Sequence, residues 1–310
     1  MHCAATRSLL SADTVSTIPS SGERMRYEAP ASTKEAAKLL SKVKGSAHVL
    51  AGGTDLLVQM KSGLIEPDVV IDIKRIEATQ NVEKTAAGFR IGAAVPGSQL
   101  RDNKALNKAW PGIVEAANLI GSEQVQGRST IVGNLVNASP AADSVPALIA
   151  AKAKAVVVGP RGRRTVAVDK IPLGPGKTSL KKGEIIEAVL LGPGSAKTGD
   201  AYLRFTPRTE MDIAVCSAGV CLELGPRGVV KSARIAVGAV APTVVLAPKA
   251  AKAIIGTKLD DAALEKLGQE VEKVCSPIDD KRGTIEFRTE VAGVLAKRAA
   301  KIAYQRAGGK

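Results

Sequence analysis

The sequence has few aromatic residues, histidines and cysteines, and each shortage argues against a class of site. Phe, Trp and Tyr together make up 2% of the 310 residues, so the aromatic side chains on which nucleic-acid bases stack are nearly absent. The two histidines, His2 and His48, are too few for a histidine metal site. The cysteines lack the C-x-x-C spacing of zinc and iron–sulfur sites; they are Cys3, Cys216, Cys221 and Cys275.

The chain also lacks a long apolar run, and its charge is unbalanced. The longest candidate, residues 145–158, is interrupted by Lys152 and Lys154 and falls short of the ~20 residues that a membrane span needs. The formal net charge is +14, and the basic residues are dispersed. This pattern favours a solvated basic surface or one that docks an acidic protein over nucleic-acid binding. The cysteine usage indicates a reducing compartment, and we expect a cytoplasmic protein.

Glycine is well represented, and two glycine-rich segments organise the sequence. The first is Ala51-Gly52-Gly53-Thr54-Asp55, after the apolar run 47–50, and the second is Thr130-Ile131-Val132-Gly133-Asn134, continuing to Ser139 and Asp143. Each is typical of a short strand that breaks into a loop of small residues. Glycine lets backbone N–H groups approach a ligand closely, and such a loop forms an anion-binding concavity. The pair predicts a cradle for a pyrophosphate and a polyol.

Each feature also has a purely structural explanation. Gly52 and Gly53 could form a tight turn, and Asp55 could cap it. Asn134 could satisfy loop backbone groups, and Asp143 could cap a helix at 145–151. The Gly174–Thr178 segment lacks the spacing of a P-loop, and we assign it to a loop.

The order of several motifs indicates a family. The two glycine segments are followed by Tyr202-Leu203-Arg204-Phe205, by residues 233–243 and by Asp280-Lys281-Arg282-Gly283. Together they resemble the flavin-binding medium subunits of the molybdenum hydroxylases, a family that includes carbon monoxide dehydrogenase and xanthine dehydrogenase. The resemblance runs from about residue 25 to about residue 306.

The resemblance implies FAD as the cofactor, with the two glycine segments holding it. The candidate contacts are Ala51, Gly52, Gly53, Thr54, Asp55, Thr130, Ile131, Val132, Gly133, Asn134, Ser139, Asp143, Ile186 and Arg204. Arg204 is either a basic residue near the flavin or part of a surface ion pair. No catalytic side chain and no metal ligand is predicted. Of the two histidines only His48 could lie at a predicted flavin contact, and the sequence has no covalent anchor of the family type, so we expect FAD to be bound non-covalently.

Two positions depart from the family pattern. Ser129 and Val132 stand where the family usually has glycine. A valine that points into the core costs little, whereas one that faces the diphosphate would obstruct it. The contacts made by the second segment therefore depend on where these two side chains lie.

The predicted fold is α+β. Residues 1–24 read as a disordered tail, with Met25 as the expected start of the protein. Residues 25–195 are expected to form a two-part FAD-binding domain of the PCMH type, beginning with a βαβ-type unit that includes strands at 47–50, 69–73 and 89–94. Residues 196–310 are expected to form a C-terminal domain with an antiparallel sheet and helices.

The family resemblance implies an electron-transfer subunit. In the resembling enzymes a large subunit carries the molybdenum cofactor and a small subunit carries two [2Fe–2S] clusters, and this chain has ligands for neither. The expected function is to pass electrons from those clusters through FAD to an external acceptor. Two alternatives stay open: a stand-alone flavin reductase of the UDP-N-acetylenolpyruvoylglucosamine reductase type, and a non-enzymatic basic binding protein.

Overall fold

The fold begins with a small parallel sheet that carries the first glycine segment. The computed structural model describes residues 25–309, so the predicted tail at 1–24 lies outside the described residues. Strand β3 lies between β1 and β2 and pairs in parallel with both. The elements are β1 (Arg26–Glu28), α1 (Thr33–Lys42), β2 (Ala47–Leu50), α2 (Leu56–Lys61) and β3 (Val69–Asp72). The predicted βαβ-type unit is confirmed over these elements.

A second, antiparallel sheet forms the other half of the N-terminal part. Its strand order is β4-β5-β10-β6-β7. The strands are β4 (Val82–Thr85), β5 (Gly88–Gly92), β6 (Lys154–Gly159), β7 (Gly162–Ala167) and β10 (Ile185–Leu191), and a separate hairpin holds β8 (Pro172–Gly174) and β9 (Lys177–Thr178). The strand predicted at 89–94 belongs to this sheet and not to the βαβ unit, because β5 pairs with β4 and β10.

Six short helices lie between β5 and β6. They are α3 (Gly97–Asp102), α4 (Lys104–Ala109), α5 (Pro111–Asn118), α6 (Glu123–Gln126), α7 (Ile131–Asn137) and α8 (Ser144–Ala150). Side chains from these helices and from the first two sheets form one continuous apolar core.

A buried carboxylate ties helix α1 to the second sheet. Glu187 in β10 is 3% exposed and accepts hydrogen bonds from Thr33 of α1, Arg90 and Arg163. Burial opposes ionisation of Glu187, but the hydrogen bonds from Thr33 and Arg163 outweigh it and lower its pKa. The cluster fixes α1 against β10, next to Ile186 in the sequence.

The C-terminal part is a four-stranded antiparallel sheet between helices. The strands are β11 (Thr198–Phe205), β12 (Cys216–Leu224), β13 (Val230–Gly238) and β14 (Val245–Leu246), and the helices are α9 (Pro248–Ile254), α10 (Asp261–Glu272) and α11 (Ile285–Arg306). A Cβ on Gly199 would lie 2.0 Å from the carbonyl oxygen of Ala303 in α11, and one on Gly219 would lie 2.6 Å from Pro146 in α8. Tyr202 is the cross-strand partner of Gly219, and side chains alternate along a strand. Helices α8 and α11 therefore cover opposite faces of this sheet.

The second glycine segment differs from its predicted strand. Residues 131–137 form helix α7, and the Thr130 side chain caps it by accepting a hydrogen bond from the amide of Gly133 at 2.9 Å. The β-branched Ile131 and Val132 favour a strand by propensity, but the cap and their burial against the core override that preference. The loop predicted at 174–178 is the turn of the β8–β9 hairpin.

The described residues contain no helix with the length and apolar character needed to cross a membrane. The two-part N-terminal region and the C-terminal sheet with helices agree with the predicted α+β fold.

Candidate functional site

A cavity opens between the two glycine segments. Its volume is about 440 Å³, within the range of roughly 300–1,000 Å³ typical of ligand pockets. One wall is the segment that leaves β2 and enters α2, and the facing wall is the start of α7. The remaining walls come from the strands and loops of both N-terminal sheets, including Ile73, Ile120, Gly176, Leu180 and Ile185.

The absence of a side chain at Gly52 allows the two segments to touch. A Cβ on this residue would lie 2.1 Å from the Arg128 carbonyl oxygen, a distance that real Cβ atoms essentially never show, and 3.1 Å from the Ser129 Cα, which is a tight contact. The next residue, Gly53, has φ +80°, a conformation that disfavours any side chain. The Gly-Gly pair thus sets both the contact between the segments and the turn into α2.

Backbone amides supply the donors at this site. In the part of the chain that the structure describes, the amides of Gly52, Gly53, Thr54 and Asp55 donate to no protein acceptor. The first amides of α7, those of Ile131 and Val132, are also free of protein acceptors within that part, as expected for a helix start. Both segments therefore present unpaired N–H groups beside one cavity, an arrangement suited to an anion.

Side-chain charge contributes little to the cavity. Among the described lining residues the ionisable ones are His48, Asp55 and Glu184, and none is lysine or arginine. Partial burial of the carboxyl raises the pKa of Asp55. A negatively charged ligand would therefore be held by amides and by the hydroxyls of Thr54, Ser129 and Thr130.

The structure brings ten of the predicted contact residues to the cavity. These are Ala51, Gly52, Gly53, Thr54, Asp55, Thr130, Val132, Gly133, Asn134 and Ile186. Asn134 has a structural role as well, because its Oδ1 accepts hydrogen bonds from the amide and hydroxyl of Ser144.

Four of the predicted contacts lie outside the cavity lining. Ile131 is 1% exposed and packs in the core, and the Ser139 hydroxyl accepts a hydrogen bond from the amide of Ala141. Asp143 and Arg204 bind each other, with Oδ2 and Nη1 2.8 Å apart. The side-chain polar groups of Ser139, Asp143 and Arg204 are thus bound to other groups of the protein.

Asp143 joins the N-terminal and C-terminal parts. Its second oxygen accepts a hydrogen bond from the Tyr202 hydroxyl at 2.9 Å, and its side chain makes no cap for α8. Burial raises the pKa of Asp143, and Arg204 and Tyr202 oppose that rise. The Asp143–Arg204 ion pair is largely buried, with side chains 11% and 5% exposed, and not the surface pair considered from the sequence.

Several lining residues were not among the predicted contacts. Val136 and Asn137 reach the cavity because the second segment is a helix, and Gly176 and Leu180 come from the hairpin region. The amide of Gly176 donates to the carbonyl of Ala138, which seats the hairpin beside α7. Only the tertiary structure reveals these neighbours. Ser129 is the lining residue that the sequence could have indicated, because it departs from the family pattern.

Comparison with known families covers most of the chain. Residues 23–192 match the family described as the FAD binding domain in molybdopterin dehydrogenase. Residues 201–303 match the CO dehydrogenase flavoprotein C-terminal domain. The chain belongs to the flavin-binding subunits of the molybdenum hydroxylase family. FAD is therefore its cofactor, and it is a subunit of oxidoreductase type, as the resemblance implied.

Individual relatives of this flavin-binding subunit align over nearly their whole length. The carbon monoxide dehydrogenase medium chain of Hydrogenophaga pseudoflava is 32% identical over 91% of this chain and 98% of its own. The xanthine dehydrogenase FAD-binding subunit of Escherichia coli O157:H7 is 29% identical over 92% of this chain and 97% of its own. A solved structure of Hydrogenophaga pseudoflava carbon monoxide dehydrogenase superposes with a TM-score of 0.87 at 34% identity, covering 91% and 98% of the two chains.

The cavity of this flavin-binding subunit fits a diphosphate-containing cofactor. Two of its walls carry unpaired backbone N–H groups, and the buried hydroxyl of the lining residue Ser129 has no partner among the described residues. The cysteines offer no competing redox site, because the three in the described region are free thiols and burial raises the pKa of Cys216 and Cys221 to about 12. Within residues 25–309 no cluster of three His, Cys, Asp or Glu side chains is arranged to hold a metal ion.

Proposed function

We propose that this chain holds FAD between its two glycine segments and serves as the electron-transfer subunit of a cytoplasmic molybdenum hydroxylase complex. The observation that carries the proposal is the convergence of unpaired amides from 52–55 and from the start of α7 on one cavity. The proposed contacts are the ten lining residues named above. The side chains of Ile131, Ser139, Asp143 and Arg204 are assigned to the framework instead.

Bound FAD supplies the redox chemistry, since a flavin can take up electrons singly and release them to an acceptor. The protein's part is to bind and orient it. The amides of the two segments hold the negative charge of the diphosphate, and the turn at Gly53 sets the direction of α2 beside it. Apolar lining residues such as Ile73, Val132 and Ile186 exclude water from part of the cavity.

The electrons would come from [2Fe–2S] clusters on a small partner subunit, and the organic substrate would be oxidised on a large molybdopterin-binding subunit. Support comes from the relatives, which are named as medium or FAD-binding subunits of two dehydrogenases and a hydroxylase with different substrates. Related flavin subunits thus occur in enzymes that act on different substrates. This is expected if another subunit of each complex selects the substrate. The basic character of the sequence, with a net charge of +14, offers a means of docking an acidic partner.

The test is to compare the purified flavin-loaded chain with the complex reconstituted from partner subunits. Dithionite should bleach the flavin in the isolated chain, because an artificial donor needs only access to it. Candidate aldehydes, purines, N-heterocycles and carbon monoxide should bleach it only in the complex. Bleaching of the isolated chain by one of these substrates would instead identify a self-sufficient flavoenzyme.

A further inference from the structure

Ser129 places a buried hydroxyl at the junction of the two glycine segments. The residue is 2% exposed and lines the cavity. Its Oγ has no hydrogen-bond partner among the described residues. A buried hydroxyl left without a partner destabilises a protein, so one carried by a residue that lines a ligand cavity points to a missing ligand atom.

The backbone of Ser129 is fixed on both sides. Its amide donates to the carbonyl of Val125 at 2.8 Å, and its carbonyl accepts from the amide of Gly97 at 2.9 Å. The glycine at position 52 packs against its Cα, where a Cβ would approach to 3.1 Å. The backbone that carries the hydroxyl is thus held in place before a ligand binds.

The surroundings of this hydroxyl define what it would bind. The next residue, Thr130, caps α7, and the free amides of Ile131 and Val132 follow. Across the contact with Gly52 lie the free amides of 52–55. A hydroxyl among so many N–H donors, in a lining without lysine or arginine, is best matched to a phosphate oxygen.

We propose that the Ser129 hydroxyl donates a hydrogen bond to a phosphate oxygen of FAD, which makes Ser129 a cofactor-binding residue of this chain. The inference rests on the proposed function, because it takes FAD to occupy this cavity. It gives a role to a departure from the family pattern. Where the family usually relies on glycine, this chain adds a side-chain donor beside Val132, whose isopropyl group also lines the cavity.

The variants Ser129→Ala and Ser129→Cys separate the hydroxyl from its volume. Cysteine keeps nearly the same size but is a weak donor. Dissociation constants are measured by titration calorimetry for FAD, ADP and FMN. FAD shares its adenosine half with ADP and its flavin half with FMN, and phosphate is the group that all three ligands contain. We expect the Kd for FAD to rise about 10- to 100-fold in both variants, as for a lost hydrogen bond to a charged group. The Kd for ADP, for FMN or for both should rise with it.

The thermal stability of the apo-protein gives an independent measurement. Removing an unsatisfied buried hydroxyl should leave the apo-protein melting temperature unchanged or raise it by a few degrees, while the increase produced by added FAD becomes smaller. A merely structural serine would behave in the opposite way, with a less stable apo-variant.

The pattern of losses decides the inference. Losses shared by FAD and ADP would support it and assign the bond to the adenosine half, and losses shared by FAD and FMN would support it on the flavin half. Unchanged FAD affinity in Ser129→Ala, or a Ser129→Cys variant that binds like the wild type, would overturn it. If the wild-type chain and both variants bind FAD equally well, this inference alone is refuted. If the wild-type chain binds no FAD, the proposed function is refuted as well.

Discussion

Asp200 provides a pH-dependent test of how the two halves of the chain are joined. It lies in β11, is 4% exposed, and its Oδ2 accepts a hydrogen bond from the amide of Ile113 at the start of α5. Its Oδ1 has no partner among the described residues. Burial raises the pKa of Asp200 from its ordinary 3.8 to about 7, against the opposing effect of the Gly112 amide and of Arg306.

The direction of the effect follows from proton binding. Between about pH 4 and pH 7 the folded chain holds the Asp200 proton and the unfolded chain does not, so the stability contributed by this group falls as the pH rises. The gap of about three pH units between the folded and unfolded pKa values corresponds to at most about 4 kcal/mol. An asparagine at this position does not ionise, so the variant Asp200→Asn should escape that loss.

We therefore expect Asp200→Asn to match the wild type near pH 4 and to exceed its free energy of unfolding by about 2–4 kcal/mol at pH 8. The measurement is urea unfolding of the apo-protein at a series of pH values. Asp102→Asn is the control for the loss of a carboxylate at the surface, because the side chain of Asp102 is 77% exposed. A stability difference for Asp200→Asn that stays constant from pH 4 to pH 8 would refute the reasoning.

Two further predictions concern the contact between the segments and the Asp143–Arg204 ion pair. Gly52→Ala should abolish measurable FAD binding, because the new Cβ collides with the Arg128 carbonyl. Gly63→Ala should retain it, since Gly63 has positive φ but open space around it; equal loss in both variants would indicate general misfolding. Arg204→Met should lower the free energy of unfolding by about 3–5 kcal/mol by leaving the buried carboxylate of Asp143 without its counter-ion. The double variant with Asp143→Asn should recover part of that loss, and strictly additive effects in urea unfolding would contradict the pairing.

The sequence was sufficient to predict the strands that are marked by a local pattern of β-branched or alternating apolar residues. The β-branched run at Val69–Asp72 forms β3, and the alternating runs around the Gly225–Gly228 turn form β12 and β13. It failed at Thr130–Asn134, where β-branched residues favour a strand but a capped helix forms. The capping threonine is itself a helix signal, so the competing signals were both present in the sequence.

The sequence predicted the parts of the candidate site that the backbone forms better than the parts that depend on contacts between side chains. Gly52 and Gly53 could be recognised because their lack of side chains is the functional property. Asp143 and Arg204 were matched to the family by position, yet sequence order cannot show that they face each other across 61 residues. The contribution of the β8–β9 hairpin could not be predicted either, since it depends on long-range contacts such as the hydrogen bond from the Gly176 amide to the Ala138 carbonyl.

The central claim is that FAD occupies the cavity between the two glycine segments, and amide hydrogen exchange with and without FAD tests it most directly. The amides of 52–55 and those at the start of α7 have no protein acceptor among the described residues, so in the apo-protein they should exchange rapidly. Added FAD should slow exchange in peptides covering 51–56 and 129–134 and leave α10 (Asp261–Glu272) unchanged. Protection that appears elsewhere, with 51–56 and 129–134 unaffected at saturating FAD, would contradict the account.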